Sequence, residues 1–264
     1  MIKKIAILGS TGSIGKTTFE IVRKDLKNFN VVLLMTNKNI KILEYQAKIL
    51  KVKNLVITDY KKYIILKKKL ENKKINVYND IGSLNKVFKS KIDYTMCAIS
   101  GLDGLKPTLS AIKFSKTVAI ANKEAIICGW NLIKRKLFFH KTNFIPVDSE
   151  HFSIWSILNG IKNQNIDKIY ITASGGPFLN YDLNKLKKIT PKLAFKHPNW
   201  KMGKKISTDS ATMMNKVFEI IEAHKIFDLN YNKFRILIHP ISYVHAIVKF
   251  TNGVTKILVH DTNM

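Results

Sequence analysis

The chain has 264 residues, enough for one large or two moderate domains with a real core, and at 46% hydrophobic it has the composition of a globular protein. Its formal charge of +27 does not point to nucleic acid: only Arg23, Arg135 and Arg235 are arginines, and the lysines run along the whole chain as solvated faces, densest at 61–74. No apolar run reaches the roughly 18 residues of a membrane span, and Cys97 and Cys128 have neither disulfide-framework nor metal-ligand spacing, which suits a reducing cytoplasm.

Residues 4–8, "KIAIL", read as a first strand, since the apolar core is far too short for a signal peptide. "GSTGSIG" follows at once, then a helical pattern carrying Ile14, Phe19, Ile21 and Val22. "NVVLLM" (30–35) and "LVIT" (55–58) read as buried strands with helical segments between them. "YTMCAIS" (94–100) and "TVAIAN" (117–122) flank the helix-like "GLKPTLSAIKF". A further helix follows Lys123, and a strand ends at Val147. Strands alternating with helices predict an α/β, doubly wound, Rossmann-like parallel sheet over 1–147.

The remainder, 148–264, reads as an α+β domain. "KIYITASGG" (168–176) is a strand entering a glycine loop, and "KHPNWKMGKKIS" (196–207) is irregular. Residues 211–227 have helical spacing, and "SYVHAIVKF-TNG-VTKILVH" is a hairpin turning at Asn252-Gly253.

Gly9, Gly12 and Gly15 form G-x-x-G-x-x-G between strand and helix, a turn in which a pyrophosphate can approach the backbone and meet the helix N–H groups. The spacing departs from the usual dinucleotide fingerprint, so its strand–turn–helix setting carries the inference. The second strand ends in "LLMTNKNI", with Lys38 and Asn39 and no acid, which favours NADP over NAD.

"NFIPVDSEHFSIWS" places Asp148 and Glu150 two positions apart behind an apolar strand. In an extended segment both point to one side and can converge on a cation. Asp148 and Ser149 can equally cap the following helix, and spacing alone leaves both readings open. Glu219, with Glu222 three positions on, is the candidate third carboxylate. Ser174, His197, Ser210, Asn215 and Lys216 together suit a phosphorylated, hydroxylated substrate, which tips the balance toward a metal site.

"ILGSTGSIG", "ANKE", "PVDSEH", "ASGGPF", "HPNWKMGKKIS", "DSATMMNK" and "ILIHP", in that order, resemble the 1-deoxy-D-xylulose-5-phosphate reductoisomerase family of the non-mevalonate isoprenoid pathway. The resemblance implies NADPH and Mg²⁺ or Mn²⁺ as cofactors, a small phosphorylated sugar as substrate, and a homodimer. It implies that Thr11, Gly12, Ser13 and Ile14 hold the NADPH pyrophosphate region. Asn37, Lys38 and Asn39 would serve the adenosine end, with Asn122, Glu124 and Gly203 also at the cofactor. Asp148, Glu150 and Glu219 would hold the metal, and Lys123 and His197 would join them in the catalytic set. Lys123, Ser149, Glu150 and Glu219 would contact the substrate, and Ser174, His197, Ser210, Asn215 and Lys216 would bind it and its phosphate.

The sequence departs from the family pattern at Asn37, Phe152, Ser156, Val217 and Ile241, none of them a proposed metal ligand. The C-terminal helical domain that the resemblance implies is not present before Met264. The runner-up expectation is therefore a truncated, non-catalytic NADP-binding remnant of the same family.

Overall fold

The computed structural model describes residues 2–161, 165–195 and 204–260. It divides into two compact units, Met1–Pro146 and Val147–Met264. The first alternates β1 (Lys3–Leu8), α1 (Ser13–Lys24), β2 (Phe29–Thr36), α2 (Ile40–Ile49), β3 (Asn54–Ile57), α3 (Tyr60–Lys69) and β4 (Asn76–Tyr78). It continues with α4 (Leu84–Val87), β5 (Ile92–Cys97), α5 (Leu105–Lys113), β6 (Ser115–Ile120), α6 (Lys123–His140) and β7 (Asn143–Pro146).

These strands form one sheet in the order β4-β3-β2-β1-β5-β6-β7, with every pairing parallel. Parallel strands covered on both faces need continuous apolar runs, and Leu33, Leu34 and Met35 of β2 and Leu55, Val56 and Ile57 of β3 are all buried. Each such side chain contributes about 1.5–3 kcal/mol by leaving water. The strand order reverses between β1 and β5, which puts a crevice at their C-terminal ends.

The second unit begins with α7 (Ser149–Leu158) and β8 (Ile166–Ala173), followed by α8 (Leu183–Leu186) and α9 (Pro191–Ala194). Next come α10 (Lys204–Ala211), α11 (Met214–Phe227), β9 (Phe234–Ile238), β10 (Val244–Phe250) and β11 (Thr255–Val259). Its mixed sheet runs β11-β10-β8-β9, antiparallel except for β8–β9. Ile154 and Leu158 of α7 and Ala223 of α11 pack on Ile169, Ile171, Ala246 and Val248 of that sheet.

The α/β first half and α+β second half are therefore as expected, with local corrections. Residues 204–207, expected to be irregular, begin α10, and the helix expected over 211–227 is interrupted where Met213 takes a left-handed φ of 59°. Strands β4 and β9 were not anticipated. The hairpin is β10–β11, with Gly253 at φ +85° in its turn. His197, Trp200, Met202 and Gly203 lie outside the described residues. No described helix is long and apolar enough to cross a membrane.

Candidate functional site

In the first unit, the glycine turn sits at the β1–β5 reversal. Gly9 has φ +84°, and a Cβ there would lie 2.5 Å from the carbonyl oxygen of Ala98, just beyond β5. The turn is tied to β2 by Gly9 N and Ser10 N, each donating to Met35 O at 2.9 Å. Thr11 and Thr36 share a 2.6 Å hydroxyl hydrogen bond, and Gln46 donates to Ser10 O at 2.8 Å. Gly15 packs so closely that a Cβ would meet Gly9 O at 2.2 Å, whereas at Gly12 the nearest atom would be 3.4 Å away. Gly12 is the N-cap of α1, with no side-chain cap and no acid in the first turn. Gly12, Ser13 and Ile14 are exposed, so the positive end of the helix faces solvent.

Asn37, Lys38 and Asn39 follow β2 on the exposed surface. Asn37 donates to Thr58 Oγ1 at 2.8 Å and is not among the positive-φ residues, so the family's usual glycine is not needed there. Asn39 caps α2 by accepting from Ile42 N. Lys38, Asn39, Lys41, Lys62 and Lys69 line a recess of about 580 Å³ with Ile40 and Glu44. Asn122 is buried. It caps α6 by accepting from Ala125 N at 2.7 Å, and it donates to Gly101 O at 2.7 Å and to Ile99 O. Its amide thus braces the β6–α6 turn against the loop after β5, while Lys123 and Glu124 open α6 half-buried.

In the second unit, Asp148 takes the N-cap position of α7, but its side chain makes no capping hydrogen bond. Capping therefore does not account for this carboxylate. Glu150 lies in the first helical turn, so the pair converges through a helix N-terminus and not through strand alternation. That end of the helix favours negative charge. From α11, Glu219 joins them: one oxygen from each of Asp148, Glu150 and Glu219 lies within 4.8 Å of the others. Ser149 donates to Glu150 Oε2 at 2.7 Å.

Lys216, one turn before Glu219, bridges two of the three carboxylates. Its Nζ is 2.5 Å from both Glu150 Oε1 and Glu219 Oε2. Burial alone would lower the lysine pKa, but attraction to Glu150 and Glu219 outweighs it and holds the pKa above the ordinary value. Asn215 donates to Glu219 Oε1. Ser174 accepts from Gly176 N at 3.3 Å. A Cβ at Gly176 would meet Ser210 O at 2.8 Å, which brings the serine loop against α10. Val217, in place of the family's glycine, is 44% exposed and has room.

Sequence reasoning singled out neither His151 nor His245, and it named Glu222 only as a helical neighbour of Glu219. His151 is fully buried, and its Nε2 lies 2.9 Å from Glu219 O. Glu222 is 1% exposed, its Oε2 3.9 Å from His151 Nδ1. His245 on β10 places Nδ1 3.9 Å from Glu150 Oε1 and stacks on His260 at 4.2 Å. "SEH" holds His151 beside an acid, but no spacing reveals that its ring is buried against α11.

Residues 5–129 match the family model described as 1-deoxy-D-xylulose 5-phosphate reductoisomerase, and residues 144–227 match that of its C-terminal domain. A protein of that name from Pelagibacter ubique (strain HTCC1062) is 64% identical over 264 residues, covering 99% of this chain and 68% of that protein. The solved structure of the reductoisomerase from Zymomonas mobilis in complex with NADPH has a TM-score of 0.88 and 38% identity, covering 99% of this chain and 68% of that one. A DOX-P reductoisomerase in complex with NADPH, fosmidomycin and magnesium has a TM-score of 0.89 and 32% identity, with 99% and 67% covered. The chain spans about two thirds of the length of these relatives.

Proposed function

The chain belongs to the 1-deoxy-D-xylulose 5-phosphate reductoisomerase family, and from that premise we propose that it rearranges and reduces 1-deoxy-D-xylulose 5-phosphate to 2-C-methyl-D-erythritol 4-phosphate, using NADPH and a divalent metal. The observation that carries this reading is the gathering of Asp148, Glu150 and Glu219 oxygens within 4.8 Å. An all-oxygen set fits Mg²⁺ or Mn²⁺. An ion held there would polarise the substrate carbonyl and stabilise enolate-like charge during the rearrangement.

The chain's own residues supply binding and orientation. Ser149, whose hydroxyl donates to Glu150, would offer that hydroxyl to the substrate backbone. Ser174, Ser210 and Asn215 offer hydroxyls and an amide to the substrate and its phosphate. Lys216, now the counter-charge of Glu150 and Glu219, would offer its ammonium to the phosphate with an ion neutralising those acids. By the family resemblance, Lys123 and His197 would contact the substrate and Gly203 the cofactor.

The first unit would hold NADPH, which would supply the hydride for the reduction. Gly12, Ser13 and Ile14 at the N-terminus of α1, with Thr11 beside them, would hold its pyrophosphate. Lys38 and Asn39 take the adenosine end, where the basic recess suits a 2′-phosphate. Asn122 and Glu124 lie near the cofactor. The free thiols Cys97 and Cys128 suit a reducing cytoplasm.

The test is NADPH consumption by this chain with the deoxyxylulose phosphate and Mg²⁺. Asp148→Asn should lower turnover at least about 100-fold and leave NADPH binding unchanged. NADPH binding with no metal-dependent consumption in the wild-type chain would identify the remnant instead.

A further inference from the structure

Beside the three-carboxylate cluster, the same two helices bring a different donor set to Asp148. One ligand atom from each of Asp148, His151 and Glu222 lies within 4.8 Å of the others. The informative atom is His151 Nδ1. The side chain is fully buried, and Nδ1 has no hydrogen-bond partner among the described residues. The other ring nitrogen, Nε2, lies 2.9 Å from the Glu219 carbonyl oxygen. A carbonyl oxygen only accepts, so Nε2 carries the proton, and a neutral ring then presents a lone pair at Nδ1.

That lone pair faces the Glu222 carboxylate at 3.9 Å. Two electron-rich groups buried face to face repel unless positive charge lies between them. At 3.9 Å the two atoms are not hydrogen-bonded to each other. The gap does match two ligands each about 2.1 Å from a shared ion, which lie about 3.4 Å apart at a tetrahedral angle and about 4.2 Å apart when opposed. A metal-bound histidine ordinarily donates its second N–H to a backbone carbonyl, as Nε2 does here.

We propose that Asp148, His151 and Glu222 form a second divalent-cation site, sharing Asp148 with the all-oxygen cluster. A mixed nitrogen and oxygen set favours borderline cations such as Zn²⁺ and Co²⁺ over Mg²⁺. The proposal does not rest on the catalytic reading, because its readouts are metal binding and not turnover.

The test loads the whole chain with Co²⁺ and records the proton NMR spectrum. The wild type and Glu150→Gln should both show a hyperfine-shifted, solvent-exchangeable imidazole N–H signal, and His151→Gln should lack it. Bound Co²⁺ without that signal in the wild type, or its persistence in His151→Gln, overturns the proposal. Glu222→Gln keeps the imidazole and guards against misfolding of the histidine variant. It should weaken Zn²⁺ binding about tenfold by equilibrium dialysis while Mg²⁺ affinity stays the same. Unchanged Zn²⁺ affinity there overturns the proposal as well.

Discussion

Lys216 and Glu150, 66 positions apart in sequence, meet through an Nζ–Oε1 contact of 2.5 Å in the interior of the second unit. The same ammonium reaches Glu219 Oε2 at 2.5 Å. A side chain that the sequence suggests for a phosphate is therefore the counter-charge of two proposed metal ligands.

Replacing Lys216 with Met removes that charge and leaves two buried carboxylates to repel each other. Breaking a buried pair in this way costs roughly 3–5 kcal/mol. The metal-free variant should melt well below the wild type. A divalent ion would then be the remaining way to neutralise the cluster, so saturating Mg²⁺ should raise the melting temperature of Lys216→Met more than that of the wild type. Equal metal-induced shifts in thermal unfolding would show that lysine and ion do not share these carboxylates.

The acids of the cluster were legible in "PVDSEH" and in the spacing of α11, but the way they meet was not. Strand alternation suggested that Asp148 and Glu150 point one way, whereas the helix starts a residue earlier than that argument needs. The glycine turn and the parallel order were legible because apolar runs and glycine spacing are local signals. β4 spans three residues beside a lysine-rich stretch, too short for any periodicity to register. β9 was hidden because four of its five residues are exposed, which blurs the alternation of a half-buried strand. His151 and His245 escaped, and Glu222 was legible only as a helical neighbour of Glu219, because a buried polar side chain leaves no pattern in sequence; only the packing of α7, α11 and β10 creates their site.

The glycines of the first turn separate folding from cofactor binding. A methyl at Gly15 would sit 2.2 Å from Gly9 O and 2.6 Å from Ser10 Cα, backbone atoms that cannot rotate away. Gly15→Ala should lose about 1–3 kcal/mol of stability. A methyl at Gly12 meets nothing closer than 3.4 Å. Gly12→Ala should therefore melt like the wild type but bind NADPH about tenfold more weakly, because the methyl stands where the pyrophosphate approaches. Thermal unfolding and NADPH fluorescence titration on the two variants check both halves.

Lys38 should discriminate between the two nicotinamide cofactors. It is 69% exposed on its side chain, and its ion pair with Asp59 is long at 3.9 Å. The ammonium can therefore turn to a 2′-phosphate at little cost. Lys38→Ser should weaken NADPH about tenfold, roughly 1.4 kcal/mol, and leave NADH binding unchanged. An equal loss for both cofactors would place Lys38 elsewhere than at the 2′-phosphate.

The two thiols give a readout of the β1–β5 crevice that needs no substitution. Cys97 ends β5 beside Leu8, and burial pushes its thiol up to about 12 despite an opposing hydrogen bond with Thr108. Cys128 is exposed on α6. Since the thiolate is the reactive form, an aromatic disulfide reagent at pH 8 should titrate one thiol quickly and reach the second only as the sheet opens. NADPH bound at the crevice stabilises the closed state by mass action. It should therefore slow the second reaction and leave the first unchanged, and equal slowing of both would place the cofactor over α6 instead of at the strand ends.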